Sequence, residues 1–163
     1  MKGESRGHVF QLHTEQQRRG QFQNTLNQLH TFVAIHHKKE AKAMKVVFTN
    51  LEEPTLAVLQ PPTEKRLMTK VEETLFAQET KQYVKRNENL EAAMVSIYEI
   101  TWGLCSRLLQ DKLKSLPNFR SFDDRNNLVQ LLKEIKMLCY KINDNISPYE
   151  ALHYDAKVKL NNY

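Results

Sequence analysis

The sequence predicts an all-α protein, a bundle of about five helices with a proline-containing linker. Three observations predict it. Apolar residues recur at three- and four-residue spacing through most of the chain. Four glycines and five prolines in 163 residues are too few for long disordered or collagen-like stretches. Prolines and Ser-x-x-Asp/Glu signatures bound most of the periodic segments.

The first element is expected over 21–37, where Phe22, Leu26, Leu29 and Val33 form one apolar face among Gln, Asn and Thr. Residues 1–20 read as an N-terminal arm before a helical domain over 21–163. Residues 38–50 put Met44, Val47 and Phe48 on one side and Lys39, Lys42 and Lys45 on the other, as a continuation or a second short helix. EEPTLAVLQPPT, residues 52–63, holds three of the five prolines and reads as a linker that can lay Leu56, Val58 and Leu59 on the core.

From Pro62 to Leu116 the pattern is helical almost without interruption, too long for one ordinary helix. The polar Asn87-Glu88-Asn89 is the expected break, giving helices over 64–86 and 89–116. The second holds Trp102-Gly103-Leu104-Cys105, with the only tryptophan. In a continuous helix Ile97, Thr101, Cys105 and Leu108 share a row, so Trp102 and Cys105 read as core and Gly103 as a close approach by a neighbouring helix. A mid-helix cysteine on an apolar stripe lacks the cation or helix N-terminus that makes a thiolate.

Pro117 closes that segment, and Ser121-Phe122-Asp123-Asp124 reads as a capping box opening a helix over 123–142. Its stripe includes Leu132, Ile135 and Leu138, which with Trp102, Cys105 and Leu109 should form one structural core cluster. Ser147-Pro148-Tyr149-Glu150 opens a last helix over 148–160.

Few chemistries fit this composition. No two of the six histidines stand four residues apart, and two cysteines 34 positions apart make neither a zinc ligand set nor a disulfide framework. The carboxylate pairs sit on caps and helix surfaces, and no glycine-rich phosphate loop or nucleophile motif occurs. The expectation is a non-enzyme with no catalytic residue, metal, cofactor or small-molecule substrate. No apolar run approaches a membrane span, and MKGESRGHVF has no apolar h-region, so a cytoplasmic protein without a membrane partner is expected.

The charge is informative. Residues 1–50 carry eight Lys/Arg against three Asp/Glu, so the net +5 of the chain sits in its first third. Nonspecific contact with nucleic-acid phosphates would run through Arg18, Arg19, Lys38, Lys39, Lys42 and Lys45. Lys81, Lys85 and Arg86, around Tyr83, form a second weak cluster.

With the helices placed, "GHVFQLHTEQQRRGQFQNTL", "TKQYVKRNENL" and "IYEITWGLCSRLLQDKLKSL" followed by "LVQLLKEIKMLCYKI" resemble one family. Their order and spacing are similar to the Gag-like proteins of copia-type long-terminal-repeat retrotransposons, in the version frequent in diatoms and other aquatic microbes. The resemblance runs from about Arg6 to Tyr163. It implies a capsid-like helical structural protein that self-associates as a homo-oligomer around element RNA. Two departures stand out: Leu104 replaces the family's frequent Gln, and no Cys-x2-Cys-x4-His-x4-Cys zinc knuckle occurs. The rival expectation is a monomeric helical adaptor that binds protein or RNA.

Overall fold

The computed structural model describes Phe10, residues 15–60 and residues 69–141, with the side chains of 15–19 and 141 excepted. The fold is all-α. Its helices are α1 (Glu15–His36), α2 (Ala41–Asn50), α3 (Lys70–Gly103), α4 (Arg107–Lys114), α5 (Phe119–Asp123) and α6 (Leu128–Lys141). The expected helix over 148–160, the start at 64 and the end of the linker at 61–63 lie outside the described residues.

α1 buries the predicted row of Phe22, Leu26, Leu29 and Val33, joined by Thr25. It starts at Glu15, ahead of the expected 21. A tight turn at 37–40 reverses the chain, with His37 N–H donating to Val33 O (2.8 Å) and Ala41 N–H to His37 O (2.8 Å). α2 is therefore a separate helix, folded back so that Phe48 meets His30 with ring centroids 5.8 Å apart. It ends on Leu51, whose φ of 57° is left-handed without a glycine. Burial of the Leu51 side chain offsets the roughly 1–2 kcal/mol that this conformation costs an L-residue. Residues 51–60 then run without regular structure, consistent with the prolines.

α3 corrects the expected division of the long helical stretch. It opens on a Thr-x-x-Glu capping box: Thr69 Oγ1 accepts from Glu72 N–H (3.3 Å) and Thr69 N–H donates to Glu72 Oε2 (2.8 Å). It then passes unbroken through Asn87-Glu88-Asn89, where Asn87 Nδ2 donates to Glu91 Oε1 one turn on (2.9 Å). Polar residues with neither Gly nor Pro cost a helix only a few tenths of a kcal/mol each, too little to end it. No residue from Lys70 to Asn89 is buried, whereas Leu90, Ala93, Ile97, Tyr98 and Thr101 all are. The first five or six turns of α3, about 30 Å, thus contribute nothing to the core.

The break falls instead at Leu104-Cys105-Ser106, inside the predicted 89–116 helix. Ser106 caps α4, its Oγ accepting from Leu109 N–H (3.4 Å). Gly103 is the last residue of α3, and a Cβ built there meets nothing within 4 Å. The close-approach reading of Gly103 is therefore not met among the described residues, where the glycine ends a helix and receives no neighbour.

The capping box expected at Ser121 is also corrected. Ser121 lies within the short α5, and the next helix starts at Leu128 rather than 123, with Asn127 Oδ1 accepting from Gln130 N–H (2.8 Å). α5 is tied to α3 by the Tyr98 hydroxyl, which donates to Asp123 Oδ1 (2.6 Å). α6 is the central helix: Leu128, Val129, Leu131, Leu132, Glu134, Ile135 and Cys139 are all buried. Cys105, Leu109, Leu132 and Ile135 share one buried cluster, with Trp102 and Leu138 half-buried against it. The Trp102 ring packs on Phe119 (5.7 Å), under the Lys114 ammonium (5.8 Å).

Candidate nucleic-acid interface

Two places concentrate functional side chains: the joint at the end of α3 and the basic surface. At the joint the ending helix leaves backbone groups that need partners. Phe10 supplies two. Its N–H donates to Leu104 O (2.9 Å) and its carbonyl accepts from Ser106 N–H (3.0 Å), a one-residue parallel bridge. Gln110 Nε2 donates to Trp102 O (3.0 Å), and Cys105 Sγ donates to Thr101 O (3.3 Å). Phe10 is fully buried against Phe22, 5.6 Å between ring centroids. Phe10, the phenylalanine of GHVFQ, and WGLCS, far apart in sequence, therefore meet in one joint.

Cys105 is not mid-helix, but it is buried, and burial followed by the nearby Cys139 pushes its thiol well above the ordinary range. A thiol held protonated in this way is not a nucleophile at neutral pH. Tyr98 is raised in the same direction, first by burial and then by its hydrogen bond to Asp123. Among the described residues no group of three or more His, Cys, Asp or Glu is placed to hold a metal ion. Among them, too, no helix is long and apolar enough to cross a membrane.

The basic residues divide between elements. Arg18 and Arg19 lie in the first turns of α1, their side chains outside the described residues. Lys38 and Lys39 are exposed in the α1–α2 turn, and Lys42 and Lys45 are exposed on α2, in line with Thr49 one turn further. Lys81, Lys85 and Arg86 are exposed on α3 among Glu79, Glu88 and Glu91, and Arg86 donates to Gln82 Oε1 (3.2 Å). Carboxylates thus offset that second cluster, whereas the α2 cluster is nearly free of them.

Sequence reasoning missed two further lysines. Lys133 and Lys136 are exposed on α6, in line with Tyr140. The one acid of α6, Glu134, is turned inward, where its Oε1 accepts from Asn118 Nδ2 and Gln130 Nε2 (2.7 Å each). From Gly20 to His36 on α1, along α2, and from Leu128 to Tyr140 on α6, every exposed charged residue is a lysine: Lys42, Lys45, Lys133 and Lys136. Glu40 and Glu52 flank α2 at either end. A local positive field of this kind attracts polyanions. The i, i+3 spacing of Lys133 and Lys136 is a visible signal in the sequence, masked there by the Glu134 between them.

No protein-family model matches the chain, and no curated protein or solved structure matches it at a significant level.

Proposed function

We propose that this chain is a non-catalytic Gag-like structural protein that self-associates into a particle in the cytoplasm and contacts RNA without sequence preference. The joint at Phe10 is the observation that carries this reading. Phe10, from one of the segments on which the resemblance rests, closes the end of α3 at WGLCS, which belongs to another. Motifs that meet in this way form one folded unit, and their joint occurrence in the sequence has a structural cause. The basic surface of α2 and α6 supports an RNA contact made through phosphates, which position a protein but carry no sequence information. The raised Cys105 thiol supports a structural role for the buried cysteine.

Light scattering at rising protein concentration, with and without added RNA, tests the reading. Growth from monomer to large particles, promoted by RNA, is the expected result. A monomer at every concentration would overturn self-association and leave a monomeric helical adaptor as the better description.

A further inference from the structure

Between α1, α2 and α6 lies a cleft of about 280 Å³. Its floor is apolar, made by Phe22, Leu26, Phe48 and Leu51, and its rim carries Gln23, Asn27, His30, Thr49, Lys136 and Tyr140. Rings stand on two sides. His30 lies 5.8 Å from Phe48, and Tyr140 meets Phe22 edge-on at 6.0 Å. Gln23 Nε2 donates to Asn27 Oδ1 (3.1 Å), which leaves Gln23 Oε1 as an acceptor and Asn27 Nδ2 as a donor at the rim. Lys136 of α6 lines the cleft, and Lys45 stands one turn before Thr49 on α2, with Lys133 and Lys42 continuing the two rows along their helices away from it.

We infer that this cleft is a binding site for single-stranded nucleic acid, seating one base while the lysine rows hold the phosphates on either side of it. Each part of the site matches one part of that ligand. The volume exceeds a single base and leaves room for its sugar. Aromatic faces stack on any base, the amide pair meets a base edge, and lysines on both walls follow a backbone that enters and leaves. An acidic peptide would satisfy the lysines but would leave the rings and the apolar floor unused. A duplex keeps its bases stacked and cannot enter. The inference rests on the RNA contact proposed above and is independent of self-association.

The test is fluorescence anisotropy of a labelled ten-nucleotide oligouridylate, with the full chain held at a concentration where light scattering reports monomers. Oligothymidylate, an RNA hairpin duplex and polyglutamate serve as competitors. Single strands of either sugar should compete and the duplex and polyglutamate should not, with the two single strands separating RNA from DNA preference. Lys45→Gln with Lys136→Gln should reduce the slope of log affinity against log salt by about 1.4, since each single-strand phosphate contact contributes about 0.7. Asn27→Trp, at an exposed position, fills the cleft without changing charge and should weaken binding about five- to hundredfold, the worth of one stacked base. Circular dichroism and urea midpoints matching wild type verify that each variant folds. If Asn27→Trp binds as well as wild type, or if polyglutamate competes as well as oligouridylate, the base-seating site is wrong. Loss of particle growth with oligouridylate binding intact would overturn the assembly proposal and leave this site standing.

Discussion

Replacing Phe10 by alanine should destabilise the whole fold, although the residue lies outside every helix. Its side chain is fully buried. An aromatic ring of this size removes about 150–200 Å² from water, worth about 4–5 kcal/mol at about 25 cal/mol/Å² as an upper estimate. Measured Phe→Ala changes in cores cost about 3–5 kcal/mol, which includes the cavity left behind. The alanine backbone can still bridge Leu104 O and Ser106 N–H. If loss of the ring also releases the segment, two hydrogen bonds go with it, about 1 kcal/mol each. A loss of about 3–5 kcal/mol is therefore expected for Phe10→Ala, and a smaller one for Phe10→Leu, which keeps more of the apolar volume. Urea unfolding followed by far-UV circular dichroism and by the fluorescence of Trp102, two residues from Leu104, measures both. A loss under 1 kcal/mol for Phe10→Ala would refute the argument that this residue closes the end of α3.

Three other outcomes are expected. Gly103→Ala should raise stability by about 0.4–1 kcal/mol in the same assay, because Gly103 has no positive φ and, among the described residues, no neighbour within 4 Å of a built Cβ; a marked loss would restore the close-packing reading. The stability contributed by Cys105 and Tyr98 should be level below about pH 8 and fall as pH rises past about 9–10. Cys105 and Tyr98 start from ordinary values of 9.0 and 10.0 and are raised in the fold, so the unfolded chain releases their protons first and gains free energy that the folded chain does not. Tyr98→Phe should remove the part of that loss above about pH 10, and an alkaline profile identical to wild type would count against burial as its cause. Finally, an aromatic disulfide reagent at neutral pH should label neither cysteine in the folded protein and both in denaturant, since both are buried; rapid labelling of the native chain would contradict their place in the core.

The sequence by itself determined the fold class and several elements. The row Phe22, Leu26, Leu29 and Val33 is buried as its period requires, because a 3.6-residue repeat places those side chains on one face in any setting. Thr69 and Glu72 likewise carry a local helix-start signal, a Thr-x-x-Glu capping box set inside a longer apolar pattern. Only the tertiary structure decided where the long helix ends. Asn87–Asn89 would have to pull a helix apart by propensity alone, which is weak, whereas ending it at Leu104 requires partners for backbone groups that no local residue can supply in full. Phe10 supplies them from near the other end of the sequence, and a pairing between distant segments leaves no mark in the periodicity of either. The basic surface divides in the same way. Summing charges along the chain placed the excess in the first third, and Lys42 and Lys45 were found there. Lys133 and Lys136 lie in a segment that sums nearly to neutral, and a sum along the sequence does not show which of its charged side chains reach solvent. Folding turns the Glu134 carboxylate inward onto Asn118 and Gln130 while both lysines stay exposed on α6, so which charged side chains a polyanion can touch depends on the face each occupies, and that is set by packing.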